Sequence, residues 1–328
     1  MCGIMHIKRN DGHSPIKPLL ARYEQQKGRG TDGFGFVAVK DGYVIGYERA
    51  TTEAEIKEKI SKYAHATEFL FHHRFPTSTD NLEETAHPIF VSNKMLKHDY
   101  YLIHNGHISN SKDLKVEHEA LGFVYNTEVE ILSGYNVRGK HKKKKHHFHV
   151  TKTEFNDSES LAIEFALYND GIKDVLDTYG GAAFIAYEVE KGTGKIIALH
   201  YGRNSNPIIA FRAHGMFILS SQSTDKDSAE IENYKQITIP YVDGKQSSPI
   251  VKPMSLLLSN YTLSHSKIDR SNLQYNHEYP SYSKTNVGYN VDDRGLAEDF
   301  DDDDDYGVLL LPGATHMPQK PIPVSVDK

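Results

Sequence analysis

The sequence of 328 residues has a single cysteine, no tryptophan and no long apolar run. One cysteine excludes an intramolecular disulfide and a zinc site built from cysteines, and it fits a reducing compartment. No apolar stretch approaches the roughly 20 residues of a membrane-spanning helix. The N-terminal segment MCGIMHIKRN also lacks the pattern of a signal sequence. We therefore expect a soluble, cytoplasmic protein with no membrane partner.

The chain has no excess of basic residues. Lys and Arg total 38 against 44 Asp and Glu, which gives a formal net charge of -6. Binding to nucleic acid through bulk charge is therefore not expected. Hydrophobic residues make up only 38% of the chain, so we predict that part of it lies outside a packed core.

Short strand-like segments recur between residue 2 and about residue 240. They are GIMHI (3–7), FGFVAV (34–39), EFLFHH (68–73), YYLIH (100–104), AAFIAYEV (182–189), KIIALHY (195–201) and MFILSS (216–221). Helical periodicity appears at 53–65 and 158–169. Strands outnumber helices and do not alternate regularly with them, which favours an antiparallel α+β fold over a doubly wound sheet.

One packed domain is predicted over 2–240, with a basic interruption at about 136–152. The segment RGKHKKKKHHFHV (138–150) holds six Lys or Arg and four His. Histidines at this density can bind metal, but the segment has no carboxylate to orient the imidazoles. We therefore predict a solvated basic loop and no metal site.

The remainder, 241–328, differs in composition. It is rich in Ser, Asn and Tyr and contains an acidic run at Asp301–Asp305, so we predict a largely disordered C-terminal tail. The acidic run could mimic a phosphate backbone or bind a basic partner, but a solvated tail is the favoured interpretation.

The lone thiol, Cys2, directly follows the initiator methionine. A free thiol is mostly protonated at neutral pH, so it needs a base before it can act as a nucleophile. Removal of Met1 would leave an α-amine on Cys2, with a pKa of about 7.7–8.0, and this amine can accept the thiol proton. Position alone does not separate this role from a chance Met-Cys start.

Polar clusters at strand ends offer partners for such a nucleophile. Arg74 closes FHHR and could bind a carboxylate with its forked donors. Asn105 and Gly106, in IHNGHISN, form either a simple turn or the two donors of an oxyanion hole. Asp157, in FNDSESLAIEFA, either caps a helix or provides the counter-charge to an ammonium group.

The glycine-rich segment RGTDGFGF (29–36) is not a nucleotide site. It lacks the Lys-Ser/Thr of a phosphate loop, and it precedes a strand rather than a helix. We predict that the protein uses no cofactor.

Taken together, these motifs resemble the class II glutamine amidotransferase domain, of the N-terminal-nucleophile hydrolase family. The matching segments, in order, are Cys-Gly-Ile at the start, RGTDGFG, HHRFPT, AHP, HNGHISN and NDSE. YGRNSNPI (201–208) and ILSSQS (218–223) also fit, so the resemblance extends to about residue 225. It implies a four-layer αββα sandwich of two mainly antiparallel sheets.

The resemblance also implies a catalytic mechanism. Cys2 would attack the side-chain amide of L-glutamine, release ammonia and leave a thioester that water converts to glutamate. Asn105 and Gly106 would form the oxyanion hole.

The remaining matched residues would bind the substrate. Arg74 and Thr77 would hold its α-carboxylate, Asp157 its α-ammonium group, and Arg29 would support the nucleophile. Phe75 stands where family members often carry a tryptophan, and it could supply the same apolar contact.

The resemblance leaves the ammonia acceptor open. Residues 241–328 are too short and too polar to form a second active site, so we predict an acceptor or synthetase enzyme on a separate chain. Two alternatives remain: another N-terminal-nucleophile amidohydrolase acting on γ-glutamyl or acyl amides, and a scaffold of the same fold without catalysis. Arg74 together with Asp157 favours an α-amino acid substrate, because such a substrate carries both charges.

Overall fold

The computed structural model describes residues 2–75, 79–138, 144–222 and 228–254, with the backbone alone for 131–152. The predicted tail beyond 254 lies outside these residues. The strands are β1 (Gly3–Arg9), β2 (Asp32–Lys40), β3 (Tyr43–Ala50), β4 (Glu68–Arg74), β5 (Ile89–Val91), β6 (His98–Ile108), β7 (Val129–Arg138), β8 (Lys144–Glu154), β9 (Gly180–Glu190), β10 (Ile196–Arg203), β11 (Ile209–Ala213), β12 (Met216–Ser220), β13 (Ala229–Glu230), β14 (Lys235–Val242), β15 (Lys245–Gln246) and β16 (Ile250–Pro253). The helices are α1 (Ile16–Gln26), α2 (Glu53–Ser61), α3 (Ser111–Ala120) and α4 (Asp157–Asn169), and one turn of 3-10 helix follows α1 at Lys27–Arg29.

Two sheets form the centre of the fold. The first sheet has the order β13-β11-β12-β1-β4-β2-β3, and the second has β15-β14-β10-β9-β6-β5 with β16 also paired to β14. All the described strand pairs within these sheets are antiparallel. Each of the seven predicted segments coincides with a strand to within one residue, with Lys195 and Ser221 just outside β10 and β12, so the antiparallel α+β prediction is confirmed.

Three buried apolar clusters define the layers. Ile4 of the first sheet and Ile185 of the second share the cluster between the sheets. Leu19 of α1 and Ile56 of α2 pack on the outer face of the first sheet. Phe165 of α4 packs on the outer face of the second. The stacking order is helices, sheet, sheet, helices, which confirms the predicted four-layer αββα sandwich.

The apolar run of β1 follows from its central position. Its side chains alternate between the two faces of the sheet, with Ile4 in the inter-sheet cluster and Met5 and Ile7 under the helices. Because both faces are covered, β1 carries apolar side chains on both, and its polar side chains His6 and Lys8 are buried against Glu68. The start of β1 therefore places Cys2 at one end of the interface between the sheets.

The helices α2 and α4 agree with the predicted periodicity, whereas α1 and α3 were not predicted. The side chains that α3 buries are Ser111, Leu114 and His118, so its inner face is mostly polar. No helix among the described residues is both long enough and apolar enough to cross a membrane.

The structure corrects the predicted basic loop at 136–152. β7 and β8 pair as an antiparallel ribbon from Val129 opposite Glu154 to Arg138 opposite Lys144, and residues 139–143 lie outside the description. Backbone hydrogen bonds hold such a ribbon together, so lysine and histidine side chains do not prevent it. Across the described residues, the ribbon pairs with neither of the two large sheets.

The predicted domain boundary at 240 is also corrected, because it falls inside β14. The chain turns at Asp243 and Gly244, both with positive φ, into β15. This Asp-Gly pair is a hairpin signal in the sequence. After β16, Met254 is only 2% exposed and joins the core beneath α4.

Candidate active site

A cavity of about 350 Å³ lies where β1 and β4 of the first sheet approach β6 and β9 of the second. This volume falls within the usual range for small-molecule sites, about 300–1,000 Å³. Four of the residues predicted from the sequence line it: Cys2, Phe75, Asn105 and Gly106. The structure thus brings the predicted nucleophile and the predicted oxyanion hole into one cavity.

Cys2 is fixed by hydrogen bonds at both ends of its backbone. Its nitrogen donates to Oδ1 of Asn105 at 3.1 Å, across the interface between the sheets. Its carbonyl oxygen accepts from Nε of Arg29 at 3.0 Å. Its sulfur lies 3.8 Å from the carbonyl oxygen of Phe75. The thiol therefore has a defined position at the edge of the cavity.

Burial raises the pKa of the Cys2 thiol, and the charge of Arg74 opposes this effect in part. A thiol with a raised pKa is less ionised at neutral pH, so attack on a substrate needs a nearby base. The base predicted from the sequence, an α-amine on Cys2, would be the nitrogen that Asn105 already holds.

Asn105 leaves one donor available. The residue is 1% exposed, its Oδ1 is bonded to Cys2, and its Nδ2 has no acceptor among the described residues. An unsatisfied buried amide costs about 1–3 kcal/mol, so its presence beside a cavity points to a ligand oxygen as the missing partner. The alternative of a simple turn is wrong, because Asn105 and Gly106 lie within β6, opposite Ala183 and Ala182.

Arg74 lies behind the cavity rather than in it. Its Nη1 donates to the carbonyl of Asp80 at 3.0 Å and to the hydroxyl of Thr85 at 2.8 Å. Its Nη2 donates to the carbonyl of Thr79 at 3.1 Å and to the hydroxyl of the same residue. The guanidinium is therefore bonded to the 79–85 loop, although its charge still acts on the Cys2 thiol.

Asp157 is the first residue of α4, and the helix cap is its neighbour. The side chain of Asn156 accepts from the nitrogen of Ser158 at 3.0 Å, so the alternative that Asp157 is the N-cap is wrong. Oδ2 of Asp157 accepts from the nitrogen of Ile108 at 2.7 Å and lies 3.2 Å from Nδ1 of His107. The carboxylate therefore sits behind β6, next to a histidine that lines the cavity.

The other predicted substrate-binding residues differ in position. Phe75 is 50% exposed at the cavity, and Arg29 is bonded to the Cys2 carbonyl. Thr77 lies outside the described residues.

Four cavity residues were not predicted: His107, Gly181, Ser205 and Asn206. The last two belong to YGRNSNPI, a segment that carried the resemblance without a site role. The sequence feature that could have identified this loop is its pair of asparagines, Asn204 and Asn206, directly after a strand. Short polar side chains at such positions bond neighbouring backbone groups.

One cluster outside the cavity has the composition of a metal site. Possible ligand atoms of His98, Asp170 and Glu188 lie within 4.8 Å of one another. They already bond to protein groups, however: Nδ1 of His98 lies 2.8 Å from Oε1 of Glu188, the Tyr100 hydroxyl donates to Asp170 at 2.7 Å, and Nε2 of His200 lies 2.8 Å from Oε2 of Glu188. The cluster is satisfied as a hydrogen-bonded network, and we assign no metal to it.

Comparison with known proteins finds similarity in sequence and in structure. No protein-family model matches the chain. Over 134 residues, 40% of the chain, it is 27% identical to the isomerizing glutamine–fructose-6-phosphate aminotransferase of Lactiplantibacillus plantarum, of which it covers 21%. Glutamine phosphoribosylpyrophosphate amidotransferase from B. subtilis, complexed with ADP and GMP, is 14% identical with a TM-score of 0.49. A structure described as the allosteric regulatory enzyme of purine biosynthesis is 16% identical with a TM-score of 0.48.

The chain spans about a fifth of the sequence relative. The structural matches cover 77% of this chain and 49% of each solved chain. At these TM-scores and identities the two solved structures carry no weight in assigning a function. The ordered motifs predicted a resemblance to the class II glutamine amidotransferase domain. The match to the aminotransferase confirms this resemblance, and with it the resemblance to an enzyme.

Proposed function

We propose that this domain hydrolyses L-glutamine to glutamate and ammonia with Cys2 as the nucleophile. The observation that carries the proposal is the contact between Cys2 and Asn105, at 3.1 Å. The same asparagine keeps a buried Nδ2 donor without an acceptor among the described residues, at the cavity wall. A nucleophile and a preorganised donor on one cavity are what acyl transfer requires.

In the proposed reaction, removal of Met1 gives Cys2 a free α-amine, which accepts the thiol proton. The thiolate adds to the amide carbon of glutamine, and the resulting oxyanion accepts hydrogen bonds from Nδ2 of Asn105 and the N–H of Gly106. The tetrahedral intermediate collapses, and ammonia leaves with the proton that the α-amine had taken. Water then hydrolyses the thioester through a second oxyanion.

Arg74 and Asp157 supply the opposite charges for the two ends of the amino acid. Both side chains are buried beside the cavity and bonded to protein groups. In the proposal, the α-carboxylate of glutamine replaces part of the bonding between Arg74 and the 79–85 loop, and the α-ammonium group joins Asp157. The bonds that they replace join a charged group to a neutral one, whereas each new bond joins two groups of opposite charge.

Three further residues complete the proposal. Arg29 holds the Cys2 carbonyl and so sets the direction of the thiol. Phe75 covers the bound substrate from the exposed side of the cavity, and Thr77 adds a hydroxyl to the α-carboxylate site.

We place the ammonia acceptor, or synthetase, on another chain. The described helices and strands belong to the αββα sandwich or to the β7–β8 ribbon, so the described residues hold no acceptor domain. Glutamine hydrolysis is therefore expected to be slow in the isolated protein and faster with the acceptor enzyme present.

A second candidate is hydrolysis of another amide by the same nucleophile. One observation favours it: Nη1 and Nη2 of Arg74 bond the 79–85 loop instead of pointing into the cavity. A substrate without an α-carboxylate would leave these bonds intact.

The test is glutamate release by the purified full chain and by Cys2→Ala, together with the mass of the mature N-terminus. We expect loss of Met1, measurable turnover, and its abolition in Cys2→Ala. Equal turnover in the two proteins would overturn the mechanism. Turnover of acyl or γ-glutamyl amides without glutamine hydrolysis would support the second candidate, and retained Met1 with no turnover would indicate a scaffold.

A further inference from the structure

The backbone carbonyl of Asn105 accepts a hydrogen bond from a residue in a distant loop. Nδ2 of Asn206, in the loop after β10, donates to it at 2.9 Å. Asn105 therefore has Oδ1 bound to Cys2 and its carbonyl oxygen bound to Asn206, while its Nδ2 donor has no acceptor in the described part of the chain.

The ladder between β6 and β9 fixes which way the next peptide group points. Gly106 lies opposite Ala182. The nitrogen and the carbonyl of Ala182 are both bonded to Asn204, at 2.7 and 2.9 Å, so this opposed pair does not exchange backbone hydrogen bonds. Its members then direct their N–H and C=O groups away from each other.

Because the peptide between Asn105 and Gly106 is planar and trans, its C=O and N–H point in opposite directions. The neighbouring pair, Asn105 opposite Ala183, is then the hydrogen-bonded one, so the Asn105 carbonyl faces β9, where Asn206 also donates to it, and the N–H of Gly106 is turned away from β9. On that other side, β5 pairs with β6 only at Tyr100–Leu102, so no described strand takes up this N–H.

The loop that carries Asn206 is itself anchored. Besides its bonds to Ala182, Asn204 donates from Nδ2 to the carbonyl of Gly180 at 2.8 Å. Gly181 packs so closely on this loop that a Cβ there would lie 2.6 Å from the hydroxyl oxygen of Ser205. The donor of Asn206 is thus presented from a fixed support.

We infer that Asn206 is a positioning residue for the oxyanion hole: by holding the Asn105 carbonyl it aims the Gly106 N–H at the developing negative charge. The inference rests on the proposed acyl-transfer function. It adds a residue on a different strand connection, more than 100 positions along the chain, to the pair predicted from the sequence.

The test compares Asn206→Ala and Asn206→Asp with wild type and with the control Asn93→Ala. Asp keeps the shape of Asn but places an acceptor against the Asn105 carbonyl. Asn93 makes a bond of the same kind far from the cavity, from Nδ2 to the carbonyl of Gly122 at 3.0 Å. We expect kcat to fall about tenfold or more in both Asn206 variants, with little change in KM. The loss should be smaller than the roughly 10²–10³-fold loss in kcat that follows removal of a whole oxyanion donor. Asn93→Ala should retain wild-type kcat.

A second readout separates positioning from general damage. Iodoacetamide alkylates a thiolate by direct displacement, without an oxyanion, so its rate with Cys2 should be the same in wild type and Asn206→Ala. An equal fall in alkylation and turnover would overturn the inference, because Cys2 itself would then be disturbed. Unchanged kcat in Asn206→Asp would overturn it as well.

A third readout does not depend on the substrate. In protein labelled with ¹⁵N-glycine, the amide signal of Gly106 should shift in Asn206→Ala and stay in place in Asn93→Ala. An unmoved Gly106 signal would overturn the positioning role. If wild type does not hydrolyse glutamine, the proposed function fails, while the Gly106 shift still decides the inference about Asn206.

Discussion

The imidazole ring of His73 occupies the space where a side chain on Gly3 would be. A Cβ at Gly3 would lie 1.8 Å from Nε2 of that ring, directly across the ladder between β1 and β4. The ring cannot easily move, since its Nδ1 donates to the carbonyl of Gly30 at 2.8 Å and its face meets Tyr23 at 5.1 Å between centroids. The position of Cys2 therefore depends on the absence of a side chain at the next residue.

Gly3→Ala is expected to lower the free energy of unfolding by about 1–3 kcal/mol and to reduce turnover by displacing Cys2. Urea unfolding measures the first effect and glutamate release the second. In a His73→Ala background the added methyl group has room, so Gly3→Ala should cost less there. Equal costs in the two backgrounds would contradict the steric explanation.

Asn105→Ala removes both the bond to the Cys2 nitrogen and the free Nδ2. We expect kcat for glutamine to fall about 10²–10³-fold. Asn110→Ala is the matched control: it removes two bonds of similar length, to Asp177 and Tyr179, from a residue that does not line the cavity. A comparable loss in the control would show that the effect of Asn105 is structural.

Asp157→Asn tests the proposed site for the α-ammonium group. In the wild type the Ile108 nitrogen lies 2.7 Å from the Asp157 carboxylate. Asparagine keeps an oxygen acceptor for this nitrogen and removes the negative charge. We expect kcat/KM for glutamine to fall about 10- to 100-fold. For 4-carbamoylbutanoate, which has the amide and the carboxylate but no amine, it should change little. Equal losses with the two substrates would rule out the ammonium contact.

Glu68 should make the fold sensitive to acid. It is 1% exposed between the sheets, with His6 at 2.8 Å, Lys8 at 2.9 Å and the Tyr187 hydroxyl at 2.8 Å. Burial acts to raise its pKa, but the hydrogen bond with His6 and the charge of Lys8 outweigh burial and lower the pKa to about 2. An unfolded glutamate has a pKa of about 4.3. The stabilisation is therefore complete above that pH and is lost as the pH falls towards 2.

The expected loss is on the order of 3 kcal/mol, measured as the free energy of unfolding in urea between pH 5 and pH 2. Glu68→Gln cannot ionise, so it should be less stable than wild type at pH 5 and show a flatter pH dependence. An equally steep pH dependence in Glu68→Gln would place the acid-sensitive group elsewhere.

Asn156→Ala should destabilise the start of α4. Its Oδ1 caps the helix through the Ser158 nitrogen, and its Nδ2 donates to the carbonyl of Thr85 at 2.7 Å. We expect a loss of about 2 kcal/mol or more in thermal or urea unfolding, from the cap and from the buried carbonyl left without a donor. Thr52→Ala removes an exposed cap alone, at α2, and should cost about 1 kcal/mol. Equal costs would mean that the Thr85 contact contributes nothing.

Sequence patterns identified the sandwich because its strands carry apolar side chains on both buried faces, as β1 does with Ile4 and Met5. They did not identify α3, whose inner face includes the buried imidazole of His118, bonded to Glu164 at 2.7 Å. That bond joins residues 46 positions apart, so no local periodicity contains it. The ribbon at β7 and β8 was missed for a related reason, since its pairing is carried by the backbone and leaves no apolar pattern.

Some residues of the candidate site were likewise predictable from local sequence motifs, and others were not. Cys2, Asn105 and Gly106 follow strand segments or the chain start, where a local motif is visible. Asn206 meets Asn105 only through the neighbouring strands, and the bonding of Arg74 to the 79–85 loop depends on how that loop folds. Such contacts require the three-dimensional arrangement.

The β7–β8 ribbon leaves and re-enters the domain at one place. Val129 and Glu154 pair at its base, and next to them the nitrogen of Asn156 donates to the hydroxyl of Thr127 at 2.9 Å. These two contacts join the chain at the base of the ribbon, and neither involves the residues further along it. We expect changes in the length or charge of the ribbon to leave glutamate release unaltered, which makes the ribbon a suitable insertion point for a tag or a binding module.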